Sequence, residues 1–145
     1  MTKKANFICS RGTVDGVYPP LLLAIQSRRV GAESMIFFTF DGINAIHKEK
    51  SKHLKYFPQG ILGVVPGVPS MAAKAMVKMA ENKAQVPAPA DLFEMALCEG
   101  VKFYACKMSL DMMDIKKEDL MDGVEVTDAE NFMRIALDSQ VNMFI

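Results

Sequence analysis

Cysteine, histidine and net charge are all scarce in this chain, and each scarcity removes a class of function. Seventeen basic residues balance seventeen acidic ones, so no bulk field points to nucleic acid as the main partner. There are three cysteines, Cys9, Cys98 and Cys106, with no CxxC pair, and only His47 and His53 could support them. That set argues against a zinc centre and cannot pair off completely as disulfides. No Ser-His-Asp set, GxGxxG or Walker loop is present, so no cofactor is implied. The first thirty residues lack the charged-apolar-small layout of a secretion signal. A reducing, cytoplasmic setting with free thiols is therefore expected. The most membrane-like window, Ile61 to Ala80, carries Pro66, Pro69, Lys74 and Lys78 and makes a poor spanning helix.

The remaining composition is that of a folded protein. Half of the 145 residues are apolar and 23% are charged, enough for one domain over residues 1–145 with a real core. Twelve methionines suit adaptable core or interface filling rather than a metal box.

Apolar runs and punctuating residues alternate along the chain. Lys4 to Ser10 ("KANFICS") reads as a buried strand. Tyr18-Pro19-Pro20 opens a helix whose prolines occupy its first turn, with Arg28, Arg29 and Gly31 at its end. Glu33 to Phe40 is a second, aromatic strand. Asp41 to Lys52 is expected as a charged-sided helix that includes the solvated "HKEKSKH". Leu54 to Pro69 is irregular, and its Gly60–Pro69 part reads as a connector or a lid. Ser70 could cap a helix to Lys83, with Met71, Ala75, Met76 and Met79 at helical spacing. Asp91 and Glu94 suggest a capping box for a helix ending at Gly100, and Thr127 to Glu130 another for a last helix to Ser139. Val101 to Cys106 is the third strand, and "VNMFI" adds a final one. Alternating strands and helices predict an α/β three-layer sandwich with a mainly parallel sheet, of flavodoxin-like size.

In such a sheet, ligands gather beyond the carboxyl ends of the strands. Cys9 and Cys106 both end strands, so both are expected on one rim, whereas Cys98 reads as helix packing. Ser109 is a plausible N-cap behind Cys106, which with Lys107 would favour a thiolate. From position alone, Cys106 divides evenly between strand filler and reactive thiol. "CSRGTVDG", with Gly12, offers a loop where an anion could meet backbone amides, or simply a tight turn around a buried cysteine.

The block "VKFYACKMSLDMMDIKKEDLMDGVEV" resembles the DsrE/DsrF-like sulfur-carrier family, in the branch often labelled peroxiredoxin-like. "YPPLLLA", "IFFTFDG" and "VPGVPSMAAKAM" resemble the same branch in the same order. The resemblance implies a DsrE-like α/β sandwich assembled as homo-oligomers. It also implies that sulfane sulfur is accepted as a cysteine persulfide or thiosulfonate and passed between donor and acceptor proteins or small sulfur compounds. It maps the carrier cysteine onto Cys106 and a second cysteine onto Cys9; Met108 and Ser109 of the same motif, with Gly12, are expected to bind substrate, and the methionines after Cys106 to wall the site or an oligomer contact. Asp114 departs from the pattern, since relatives tend to have glycine there. Two other classes stand beside the carrier: a thiol peroxidase or redox protein, though the Thr-x-x-Cys context of true peroxiredoxins is missing, and a non-catalytic module holding a small anion or nucleotide.

Overall fold

The computed structural model of the protein describes residues 1–145. Five parallel strands form one sheet: β1 (Lys4–Cys9), β2 (Glu33–Phe38), β3 (Lys102–Cys106), β4 (Val124–Thr127) and β5 (Val141–Phe144), in the order β4-β3-β2-β1-β5. Six helices accompany them: α1 (Val14–Arg29), α2 (Ile43–Ile46), α3 (Val68–Ala84), α4 (Pro89–Cys98), α5 (Lys107–Met112) and α6 (Ala129–Leu137). The expected α/β sandwich with a parallel sheet is what forms. None of its helices is long and apolar enough to cross a membrane.

The strand order fixes where the helices lie. From β1 to β4 every step across the sheet runs in one direction, and a parallel crossover is right-handed. Helices on those connections therefore gather on one face. Only β4 to β5 steps back past β1, so only α6 covers the other face. The first face holds the large core, where Phe7, Phe38, Phe103 and Ala105 meet Leu21 and Ala24 of α1 and Phe93 of α4. Its aromatic rings pack edge-on, Phe38 to Phe103 at 5.5 Å and Phe93 to Phe103 at 5.7 Å, a favoured arrangement for ring quadrupoles. The second face has a core of four residues, Phe37, Cys106, Phe132 and Ala136, held by Phe132 of α6 stacked on Phe37 at 4.3 Å.

Several local expectations shift once tertiary partners are present. α1 starts at Val14, so Pro19 and Pro20 lie inside it and not in its first turn. Pro20 has no N–H for the Gly16 carbonyl, and the Cys9 thiol fills that vacancy, donating to Gly16 O at 3.7 Å. The expected helix over 41–52 breaks into a 3-10 turn at Phe40–Gly42, the four-residue α2, and a second 3-10 turn at Lys50–His53. The backbone there pairs with another segment instead: Met121 N–H donates to Ile46 O and Lys48 N–H to Asp119 O, both at 2.8 Å. α3 starts at Val68, so Ser70 lies within it, and Met71 and Met79 stand 71% and 56% exposed. α4 starts at Pro89, which suits a first helical position, so Asp91 lies in its first turn and caps nothing. Asp128, not Thr127, caps α6, accepting the Asn131 amide at 2.8 Å. The short strand β4 has no counterpart in the sequence reading, although "VEVT" alternates and follows Gly123.

Two loops at the carboxyl ends of β1 and β2 press together so closely that a glycine is required. A Cβ at Gly42 would sit 2.1 Å from the Cys9 carbonyl oxygen, a backbone atom with no room to yield. Gly42→Ala is expected to cost about 2–3 kcal/mol, read as a lower urea midpoint with an unchanged m-value.

Candidate functional site

β3 runs into α5 without an intervening loop, and Cys106 is the joint. It ends the strand and occupies the flanking position before the helix, with φ −69° and ψ 117°. Ser109 is therefore not the N-cap; it lies one turn inside α5 and is fully buried. Its hydroxyl lies 3.1 Å from the Thr39 hydroxyl and accepts the Phe40 N–H at 2.9 Å. Thr39 and Phe40 directly follow β2, so this contact ties the ends of two adjacent strands together beneath the thiol. Phe40 takes a left-handed backbone, φ 48°, which is rare for an aromatic residue and marks local strain. Sequence reasoning missed Thr39 and Phe40, because only the pairing of β2 with β3 brings them to Cys106.

This environment decides the state of the sulfur. Burial works to raise the Cys106 pKa, but it is outweighed by donors that favour an anionic sulfur. These are the Ser109 amide and hydroxyl, the Thr39 hydroxyl and the Met108 amide, and the net result lies below the ordinary thiol value. Hydrogen bonds to a charged acceptor are the strong ones. Cys106 is only 4% exposed and packs with Phe37, Phe132 and Ala136, while Met108 and Met112 of α5 and Phe40 after β2 are about half exposed. Lys107 is paired with Asp111 at 3.0 Å, so it is not a free cation for the sulfur.

Cys9 has the opposite environment. It has no exposed surface, and its thiol donates to Arg11 O at 3.5 Å and to Gly16 O at 3.7 Å. Burial pushes its pKa up to about 12, against smaller lowering contributions from Arg11. Cys9 pairs with Phe38 and Phe38 with Ala105, so Cys9 shares a face with Ala105, and Cys106 points to the other. Two strand spacings, about 10 Å, and the sheet itself separate the two thiols, beyond disulfide reach. Both cysteines therefore lie on the expected rim at the carboxyl ends of the strands, but their side chains leave it on opposite faces. Cys98 departs from its expected packing: it is exposed at the end of α4, because it lies off the stripe that buries Phe93 and Ala96.

The loop "CSRGTVDG" keeps its donors for itself. Gly12 N–H donates to one Asp41 carboxylate oxygen at 2.8 Å, and Asn44 binds the other at 2.8 Å. Arg11 is paired with Asp15 at 3.3 Å. Gly12 thus lines a cleft of about 640 Å³ with its amide already engaged by the Asp41 carboxylate. His47 and His53 stand away from Cys106 in the 43–53 segment, and no three His, Cys, Asp or Glu side chains gather to hold a metal. Asp114, where the resemblance expects glycine, has φ 52°, a left-handed position that aspartate tolerates better than most residues.

The fold and this joint define an open parallel-sheet α/β protein with a thiol at a strand end whose surrounding donors lower its pKa. The chain matches the DsrE/DsrF/DrsH-like family over residues 1–144, and it belongs to that family. It is 31% identical to the sulfur carrier protein DsrE2 of Allochromatium vinosum, over 99% of this chain and 98% of that protein. It is 28% identical to the uncharacterized protein YrkE of Bacillus subtilis, with the same coverage. Among solved structures, ychN protein from E. coli superposes with a TM-score of 0.64 at 16% identity, covering all of both chains. MTH1491 from Methanobacterium thermoautotrophicum does so with 0.60 at 12%, covering 99% of this chain and all of that one.

The two buried thiols are expected to separate in a pH series. Iodoacetamide should label Cys106 with a midpoint below that of free cysteine and leave Cys9 unlabelled across the neutral range, read by peptide mass mapping. Ser109→Ala should slow Cys106 labelling at neutral pH by roughly tenfold, the worth of one hydrogen bond to a charged sulfur.

Proposed function

We propose that the protein is a sulfur carrier that accepts sulfane sulfur on Cys106 and passes it to an acceptor thiol. The observation that carries this reading is the Cys106 joint, where amides and hydroxyls converge on the sulfur and lower its pKa. The family and a relative named as a sulfur carrier support it. A thiolate is the attacking species in sulfur exchange. The Cys106 thiolate attacks the outer sulfur of a donor persulfide, forming a new S–S bond as the donor's own S–S bond breaks. The bonding pair leaves with the donor as its thiolate, and the proton stays on the transferred sulfur. An acceptor thiolate then repeats the step on the Cys106 persulfide and regenerates the Cys106 thiolate. The sum involves no net oxidation and needs no general base, only access and a stabilised anion.

In this reading Ser109 and Thr39 hold the anion, and Met108 and Phe40 form the walls. Because Cys106 is 4% exposed and packed by Phe132 and Ala136 of α6, this small second-face core yields as the donor docks. Cys9, neutral and enclosed, serves as packing. Sulfur donor and acceptor partners meet the protein at this joint, and assembly into homo-oligomers is part of the same proposal.

Treatment with polysulfide is expected to add about 32 Da on the Cys106 peptide, and tetrathionate a larger thiosulfonate adduct. Cys106→Ser should abolish both, while Cys9→Ser and Cys98→Ser retain them. Full retention of the adducts in Cys106→Ser would exclude the assignment. Peroxide consumption with a thiol reductant, without sulfur transfer, would assign the joint to peroxidase chemistry.

A further inference from the structure

The segment between α2 and α4 is unlike the rest of the molecule in both charge and exposure. From Lys50 to Ala80 there is no Asp or Glu, while five lysines and His53 occur, in a chain whose total charge balances. Within it, residues 57–68 form a loop closed at its base by Tyr56 N–H donating to Pro69 O at 3.2 Å. The tip is a 3-10 turn at Ile61–Val64, entered at Gly60 with φ 80° and left through Gly67 with φ 85°. A Cβ at either glycine would meet nothing within 4 Å, so the loop stands clear of the body. Its aliphatic side chains face solvent, with Ile61 82%, Leu62 61% and Val64 80% exposed. α3 continues the pattern: of its seventeen residues only Pro69 and Ala73 are buried.

Around the neck of this loop the cations are arranged in two groups. Lys50 and Lys55 share one cleft with Phe57, and Lys52, Lys74 and Lys78 share a neighbouring one of about 750 Å³; His53 and Leu54 border both. The acidic groups on these walls are Asp41, Glu49 and Glu81, with Asp41 engaged by Gly12 and Asn44 and Glu49 paired with Lys52 at 3.0 Å. Along the chain from the tip back to the neck the order is aliphatic at Leu62 and Ile61, aromatic at Phe57 and Tyr56, then lysine at Lys55.

We propose that the 50–79 face docks peripherally on an anionic phospholipid surface. The Ile61, Leu62 and Val64 side chains enter the acyl boundary, Tyr56 and Phe57 lie at headgroup level, and the lysines meet the lipid phosphates. A projecting aliphatic tip with no polar side chain fits a fluid apolar layer, which needs no matching pocket. A symmetric contact with a second copy would set lysines against lysines. A bilayer with anionic headgroups supplies the opposite charge to the lysines. The proposal is independent of the chemistry at Cys106.

The chain contains no tryptophan, so Leu62→Trp places a single reporter at the tip. With phosphatidylcholine vesicles containing phosphatidylglycerol, the full-length protein should cosediment and the Leu62→Trp emission should shift to the blue. With pure phosphatidylcholine vesicles both signals should be weak, and added salt should weaken the anionic case. Ile61→Ser combined with Val64→Ser, and separately Lys74→Glu combined with Lys78→Glu, should each reduce binding by about tenfold or more. All four positions are exposed, so circular dichroism should be unchanged. Absence of cosedimentation with anionic vesicles, equal binding to neutral ones, or indifference to both double variants would overturn the proposal. Tip-dependent self-association in vesicle-free solution, seen by sedimentation velocity, would assign the face to a second copy and overturn it equally.

Discussion

The structure depends on the single reversal in its strand order. Four strands step across the sheet in one direction, and right-handed crossovers place their helices on one face. The fifth strand steps back, and one nine-residue helix, α6, covers the second face. A core of 22 buried residues on the first face carries the stability, whereas the second face has a core of four. Cys106 belongs to the small core. Its thiol therefore lies where the protein is anchored by few contacts, at the end of a strand held firmly from the other side.

The two buried cysteines show how far one residue type can be divided by environment. Both end strands in the same sheet, and both are nearly closed to solvent. Cys9 meets carbonyl oxygens, which accept from a neutral thiol and repel an anion, so burial dominates and it stays protonated. Cys106 meets amides and hydroxyls, which donate, so the anion is favoured despite burial. Polarity of the surrounding dipoles, rather than depth, decides which sulfur is suited to chemistry. The Thr39–Ser109 contact couples this selection to the fold, because it exists only while β2 and β3 are paired.

Much of this was legible in the residues. The apolar runs at 4–10, 33–40 and 101–106, the closing "VNMFI" and the helical periodicities lead to the right architecture, because strand and helix periods are local properties of side-chain placement. The departures have non-local causes. The 41–52 helix breaks because its backbone bonds to residues 119–121, and inside α1 the Cys9 thiol takes up the Gly16 carbonyl that Pro20 leaves without a donor. Ser109 reads as a cap in a linear sequence. It is instead an inward-facing hydroxyl, because the strand enters the helix with no loop between them.

The sequence by itself determined the α/β class, the family and the position of the thiol at the end of its strand, since each is carried by contiguous residues and short-range periodicity. Only the tertiary structure decided which face each cysteine points to, which donors surround Cys106, and that the Gly12 amide donates to Asp41. The physical reason is that strand register and crossover handedness bring together groups tens of residues apart, such as Thr39 and Ser109. No local pattern encodes the orientation of the dipoles that meet there.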